Sequence, residues 1–349
     1  MSLRKSKSSR AEKILSVKEQ QQKIDEVRRL IAPLSDELLY FCSDASISRF
    51  LRARNWNPEK AAKMLKVTLK WRLEYKPESI HWGDVADEAK TGKIYRADYK
   101  DKYGRTVLIM RPGFQNTNSA KGQIKYLVYC MENAILNLAS DQEQMVWLID
   151  FQGWTMASVS LKVTHETAHI LQDYYPERLA YGILYNPPKI FESFWKVVKP
   201  FLERKTYKKV RFVYSDIPES QNIMSELFDM NELEQALGGR SQYTFNYTHF
   251  AHRMIEDDEK MEAFLSSGGS ILLQNHPRAA DQRQSESFLS DARSETSSEV
   301  SLSSYVSSPK SGSDGEFKEN GGLGKLGWKS NGEDEAELRI DAIQIKEFV

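Results

Sequence analysis

Residues His165-Glu166-Thr167-Ala168-His169 spell HExxH. In zinc peptidases this pattern sets two imidazoles one helical turn apart on one face, with a glutamate beside them as general base. A catalytic zinc also needs a third protein ligand. The extended form with a glycine and a further histidine downstream is excluded, because Gln172 and Tyr175 stand at those places. A third carboxylate from Glu192 would have to arrive from beyond a strand-like stretch. At about 100° per residue, Val159, Val163, Ile170 and Tyr174 form one apolar stripe, with His165 and His169 nearly opposite. The spacing therefore predicts two surface histidines on an amphipathic helix and no metal site, with a zinc peptidase as a remote alternative. His81, His249, His252 and His276 have no Ser, Cys or Asp arrangement of triad type around them, and no glycine-rich phosphate loop occurs. No catalytic residue and no cofactor is expected.

The elements that must carry these residues follow from pattern. Ile47, Phe50 and Leu51 share a helical face, and Asn57-Pro58-Glu59 supplies an N-cap, a first-turn proline and an acidic first turn. The helix after it carries Ala61, Met64, Leu65, Thr68 and Trp71 at helical spacing. A small helical domain over 36–80 follows, preceded by a basic segment, 1–35. Over 82–246 strands alternate with helices. Arg105 to Met110, Gln144 to Phe151, Leu179 to Asn186 and Lys209 to Tyr214 are strand-like, and Gly122 to Leu138, Ser158 to Asp173 and Pro188 to Val198 are helical. This alternation predicts an α/β fold with a mainly parallel sheet. The last structured segment is expected to end near 246, with 247–275 an extension of the domain.

The 349 residues carry 49 basic and 49 acidic side chains. The balance conceals a gradient: the first 35 residues hold an excess of about five positive charges and the last 74 about five negative. The basic start suits an anionic membrane surface or a frayed, solvated terminus equally well. Basic residues are not interleaved with aromatics as in a nucleic-acid module, so no nucleic-acid partner is expected. Cys42 and Cys130 stand in unrelated contexts and predict core thiols in a reducing compartment. No apolar run approaches the roughly 18 residues of a membrane span, and the start lacks a signal-type stretch. Residues 276–349 are serine-rich, then glycine-rich, and predict a disordered tail with phosphorylation sites beside acidic residues and a short apolar end that suits partner docking.

Several motifs then act together. "ISRFLRARNWNPEKAAKMLKVTLKWR" (Ile47 to Arg72), "DKYGRTV", "WLIDFQGW", "LQDYYPERLAYGILYNPP" and "FWKVVKPFLERKTYKKV" resemble, in order and spacing, the CRAL-TRIO lipid-binding family. The resemblance covers roughly Asp36 to Tyr243. It implies a helical N-terminal lobe on an α/β domain whose mainly parallel sheet floors an apolar lipid cavity under a movable gate helix. It also implies that the HETAH helix has no metal site. The segment with Phe191, Phe194, Trp195, Val198 and Phe201 matches the gate; by itself, so much large apolar surface also suits a buried core helix.

In phosphatidylinositol-binding members the headgroup region maps by motif position onto Arg54, Glu177, Thr206 and Lys209. A phosphodiester needs a cation and a hydroxyl donor, and a carboxylate orients the lysine or accepts from inositol hydroxyls. Two departures from the pattern matter. Asn55 stands where a lysine often follows the arginine, removing a charge. Met145 and Trp147 stand where hydroxyl residues would serve a choline headgroup, which argues against phosphatidylcholine and leaves room for a sterol or another apolar second ligand. The resemblance thus implies a monomeric, non-enzymatic carrier of phosphatidylinositol in the cytoplasm, peripheral at membranes, where the basic run Glu203 to Arg211 meets anionic lipid. The alternative is a lipid-sensing adaptor that recruits protein partners through its tail.

Overall fold

The computed structural model describes residues 15–158 and 160–267. The expected disordered tail, 276–349, and Val159 lie outside them.

Eleven α-helices and five strands follow one another along the described chain. Four helices, α1 (Val17–Ile31), α2 (Asp36–Leu39), α3 (Asp44–Ala53) and α4 (Pro58–Tyr75), make the N-terminal lobe. The helical lobe starts before the expected boundary at 36, and the basic segment is not frayed over 17–31. Ser16 caps α1 reciprocally with Glu19, and Ile24, Val27 and Ile31 are buried in the same apolar cluster as Phe50, Leu51 and Leu65. The charged outer face of α1 hid a three-residue apolar stripe. The start of α4 follows the pattern in the sequence: the Asn57 side chain accepts from Lys60 N at 2.8 Å, ahead of Pro58. Its expected core face is buried at Ala61, Met64, Leu65 and Thr68, with Trp71 only half-buried and stacked between Tyr75 and Tyr174.

After α5 (Trp82–Ala89) come β1 (Ile94–Lys100) and β2 (Thr106–Met110), then α6 (Ala120–Leu136), β3 (Met145–Asp150), α7 (Leu161–Tyr174), β4 (Leu179–Tyr185), α8 (Phe191–Val198), α9 (Arg204–Tyr207), β5 (Val210–Val213) and α10 (Pro218–Leu227). The sheet runs β1-β2-β3-β4-β5. Only the β1–β2 pair is antiparallel. Strand β1 escapes the hydrophobic pattern because it is an edge: Arg96, Asp98 and Lys100 interrupt it and it has one neighbour.

The final helix α11 (Tyr247–Ser266) corrects the expected end of the structured chain at 246. It buries Phe250 and Met254, together with the carboxylate of Asp257, which accepts from Arg96 (2.6 Å), Asn133 (2.9 Å), Asn137 (3.0 Å) and Lys260 (2.7 Å). A mostly charged sequence concealed it, since only a narrow stripe faces inward.

Cys42 and Cys130 are buried free thiols, and burial pushes them up to about 11 and about 12 respectively. Neither is a thiolate near neutral pH. No helix among the described residues is long and apolar enough to cross a membrane.

Candidate functional site

Strand register fixes two rows of side chains on one face of the sheet, because successive residues of a strand alternate faces. Met110, Ile149, Leu184 and Phe212 form one row; Leu108, Trp147, Gly182 and Val210 form the next. Helix α8 packs over the first. Phe191, Phe194 and Val198 are buried with Phe151, Trp154 and Leu184 in an apolar cluster distinct from the main core, with Ile149, Trp195 and Phe212 packed against it. The Phe151 and Phe191 rings lie 4.4 Å apart, and Trp195 meets Phe212 at 5.7 Å. Phe201 departs from the expected set. It belongs to the 3-10 turn Lys199–Phe201 after α8, outside the cluster, because Pro200 ends the helix.

Beside the second row lies a cleft of about 80 Å3 whose wall includes Trp147, Leu171, Glu177, Leu179, Thr206 and Lys209. Three of the four residues expected at a headgroup site therefore share one cleft. Lys209 Nζ lies 3.2 Å from Glu177 Oε2 and donates to the Leu179 carbonyl at 2.8 Å. Thr206 sits in α9 on the same wall, its hydroxyl without a hydrogen-bond partner among the described residues. Arg54 caps the end of α3 just outside the wall, next to Ala53, which does line it. Its guanidinium donates to Glu203 Oε1 at 3.0 Å and approaches Asp173 at 3.9 Å. Asn55 and Trp56 after it have φ of +52° and +57°. Asparagine tolerates the left-handed region better than lysine does, which gives a backbone reason for Asn55.

Glu177 itself has φ +57°. A non-glycine residue there costs on the order of 1 kcal/mol and persists only when its neighbours hold it. They do. Tyr175 donates to Glu132 Oε1 at 2.7 Å, and Arg178 Nη1 donates to the Glu143 carbonyl at 2.9 Å, so the segment is fastened on both sides of Glu177.

Glu132 is the acceptor of a buried group joining the two lobes. Arg72 of α4 donates to it at 2.8 and 3.2 Å and to Glu78 at 3.1 Å. Burial opposes ionisation of Glu132. The Arg72 charge and the hydrogen bonds from Arg72 and Tyr175 outweigh it and hold the carboxyl below the usual glutamate range.

The HETAH helix is α7, and both histidines are exposed as the stripe predicts. His169 Nδ1 pairs with Asp173 at 2.6 Å, and His165 meets the Phe201 ring edge-on at 4.9 Å. Glu192 is exposed on α8. Among the described residues no three His, Cys, Asp or Glu side chains are grouped as a metal would require. Of the apolar stripe, Ile170 is buried and Val163 and Tyr174 are partly buried against the main core. The buried residues of α7 are Ala168 and Ile170, and Ala168, Leu171 and Gln172 line the cleft. The spacing of Ala168, Leu171 and Tyr175 at i, i+3 and i+7 was the available signal. Lys205 and Glu203, also in the wall, sit in the basic run but were not singled out by the motif.

A sheet face covered by a short aromatic helix, with a cleft of mixed charge at its side, defines the architecture into which the comparisons fall. The family model described as "CRAL/TRIO domain" matches residues 89–239, and "CRAL/TRIO, N-terminal domain" matches 13–66. The chain belongs to the CRAL-TRIO family. It is similar to the phosphatidylinositol transfer protein PDR17 of Saccharomyces cerevisiae, 29% identical over 262 residues, covering 70% of this chain and 72% of that one. It is also similar to the SEC14 cytosolic factor of Candida glabrata, 28% identical over 223 residues, covering 56% and 74%. Of the CRAL-TRIO domain-containing protein C23B6.04c of Schizosaccharomyces pombe the matched region is only 20%. The crystal structure of Sfh5 superposes with a TM-score of 0.52 at 18% identity, covering 73% of this chain and all of that one, which speaks to the fold.

Proposed function

We propose that the protein is a non-enzymatic phospholipid carrier that binds phosphatidylinositol, with the headgroup at Glu177, Thr206 and Lys209 and with Arg54 at the mouth of the cleft. The single observation that supports this most is the meeting of a partly buried lysine, a carboxylate and an unengaged hydroxyl in one cleft beside an apolar sheet face. The names of the relatives point the same way. Lys209 supplies the cation for the phosphodiester and Thr206 the neutral donor, while Glu177 orients Lys209 and accepts from inositol hydroxyls.

A cleft of about 80 Å3 is too small for two acyl chains. Loading therefore requires α8 to leave the sheet, opening the space its aromatic side chains fill. The membrane is where those side chains find an apolar surroundings in exchange. Exposed Lys196 on α8 and Lys199 in the turn after it, with Lys189 before α8 and Arg204 and Lys208 in and just after α9, suit docking on anionic lipid from the cytoplasmic side.

Native mass spectrometry of the full chain, after incubation with mixed phospholipid vesicles and zinc, tests the reading. The expected result is an added mass of one phosphatidylinositol with no retained metal; a stoichiometric zinc adduct without lipid would overturn it. The docking surface has its own test. Replacing Lys196 and Lys199 by glutamine is expected to weaken binding to anionic vesicles about tenfold or more, at roughly 1 kcal/mol per basic residue. Sedimentation with vesicles measures it, and binding to neutral vesicles should not change.

A further inference from the structure

We infer that the indole of Trp147 is a ligand-binding donor that selects lipids carrying acyl ester carbonyls. This rests on the reading of the cleft as a phospholipid site and adds a contact below the headgroup.

Trp147 stands in the middle of β3, between Leu108 and Gly182, in the row of side chains beside the cleft. Its Nε1 is buried and has no hydrogen-bond partner among the described residues. Only two other buried side-chain polar atoms among the described residues share that condition, Ser46 Oγ and Arg72 Nε, and neither residue is in the cleft wall. Apart from the Thr206 hydroxyl, already given to the headgroup, the other polar neutral side chains of the wall are engaged. Gln172 donates its amide N–H to the Phe201 carbonyl and accepts from Glu203 N, and the Tyr175 hydroxyl donates to Glu132. Trp147 thus carries a buried N–H that no atom of the described residues uses, in a side chain that lines the cleft together with Met131, Leu171 and Leu179. An indole only donates, and a buried donor left unpaired is unfavourable, so the matching ligand group is a pure acceptor.

The position along the sheet says which acceptor. Lys209 O accepts from Gly182 N, and Gly182 is the register partner of Trp147. The backbones of Trp147 and Lys209 therefore lie two strand spacings apart, about 9 to 10 Å. With a phosphodiester at Lys209, the part of the ligand that falls toward Trp147 is the glycerol and the start of its chains. In a diacyl lipid that region carries two carbonyl acceptors. In a dialkyl ether lipid it carries none of comparable strength.

The experiment loads the full chain from vesicles containing equal amounts of 1,2-diacyl and 1,2-di-O-alkyl phosphatidylinositol and reads the bound species by native mass spectrometry. The wild type is expected to prefer the diacyl form about twofold to twelvefold, the range of one neutral hydrogen bond. In Trp147→Phe that preference should fall to about one while phosphatidylinositol is still bound. Equal loading of both lipids by the wild type would overturn the inference and leave the lipid-carrier reading standing. Failure to load either lipid would overturn both. A second readout does not depend on the variant's folding: with 15N-labelled tryptophan, one indole N–H resonance should move downfield on loading diacyl but not dialkyl lipid. Identical indole spectra with the two lipids would overturn the inference.

Discussion

Lys209→Ala is expected to lower phosphatidylinositol loading between tenfold and a hundredfold while leaving the fold intact. The ammonium is partly buried, held at 2.8 Å from the Leu179 carbonyl and 3.2 Å from Glu177. A hydrogen bond to a charged partner in such a place is worth about 1.5 to 3 kcal/mol, which sets the range. Removing the lysine also leaves the Glu177 carboxylate facing an anionic phosphodiester without its counter-charge, which repels the ligand further. Glu177→Gln should therefore do less harm than Lys209→Ala, because it keeps the cation and an acceptor. Native mass spectrometry of loaded protein measures both, with thermal unfolding as the control. Normal loading of the lysine variant would remove Lys209 from the site.

Arg72→Met should be the most destabilising single change at the seam between the lobes. It leaves Glu132 buried with its counter-ion gone, and breaking such a pair from one side costs about 3 to 5 kcal/mol. For a domain of this size that corresponds to roughly 6 to 20 °C in Tm. The double change Arg72→Met with Glu132→Met should recover part of the loss, since Glu132 no longer stands charged and buried without its counter-ion, while Glu78 and the Tyr175 hydroxyl still lose a partner. The cost also depends on pH in a definite sense. Glu132 is held below its usual range, so its contribution is present above the unfolded glutamate value and lost as pH falls through the folded one. In the variant the unpaired carboxyl is raised by burial, so it destabilises most when ionised. Glu78, which burial already pushes up against the pull of Arg72, moves the same way. The stability gap between wild type and variant must therefore narrow as pH drops from 7 toward 4. Denaturant unfolding at the two pH values measures it; a widening gap would contradict the assignment.

What was legible in the chain follows from which signals are local. The Asn57-Pro58 cap, the strands β2 to β5 and the orientation of His165 and His169 depend on periodicity and on capping chemistry within a few residues. Helices α1 and α11 and the edge strand β1 were missed because their apolar faces are narrow and their outer faces charged. Within the site, Glu177, Thr206 and Lys209 were found by motif, and no short-range rule places them in one cleft; the βαβ crossovers do that. In the sequence Trp147 shows only the hydroxyl it lacks. Its unpaired N–H depends on the absence of an acceptor in space, which has no trace in the order of residues.

The aromatic seating of α8 carries a kinetic consequence. Lifting Phe191, Phe194 and Val198 into water would expose three large side chains, at about 1.5 to 3 kcal/mol each. At 1.4 kcal/mol per decade, even the low end of that sum leaves fewer than about one molecule in a thousand open at any moment. Spontaneous leakage of cargo into solvent should then be negligible. Exchange should be second order, rising in proportion to vesicle surface until collisions saturate the protein.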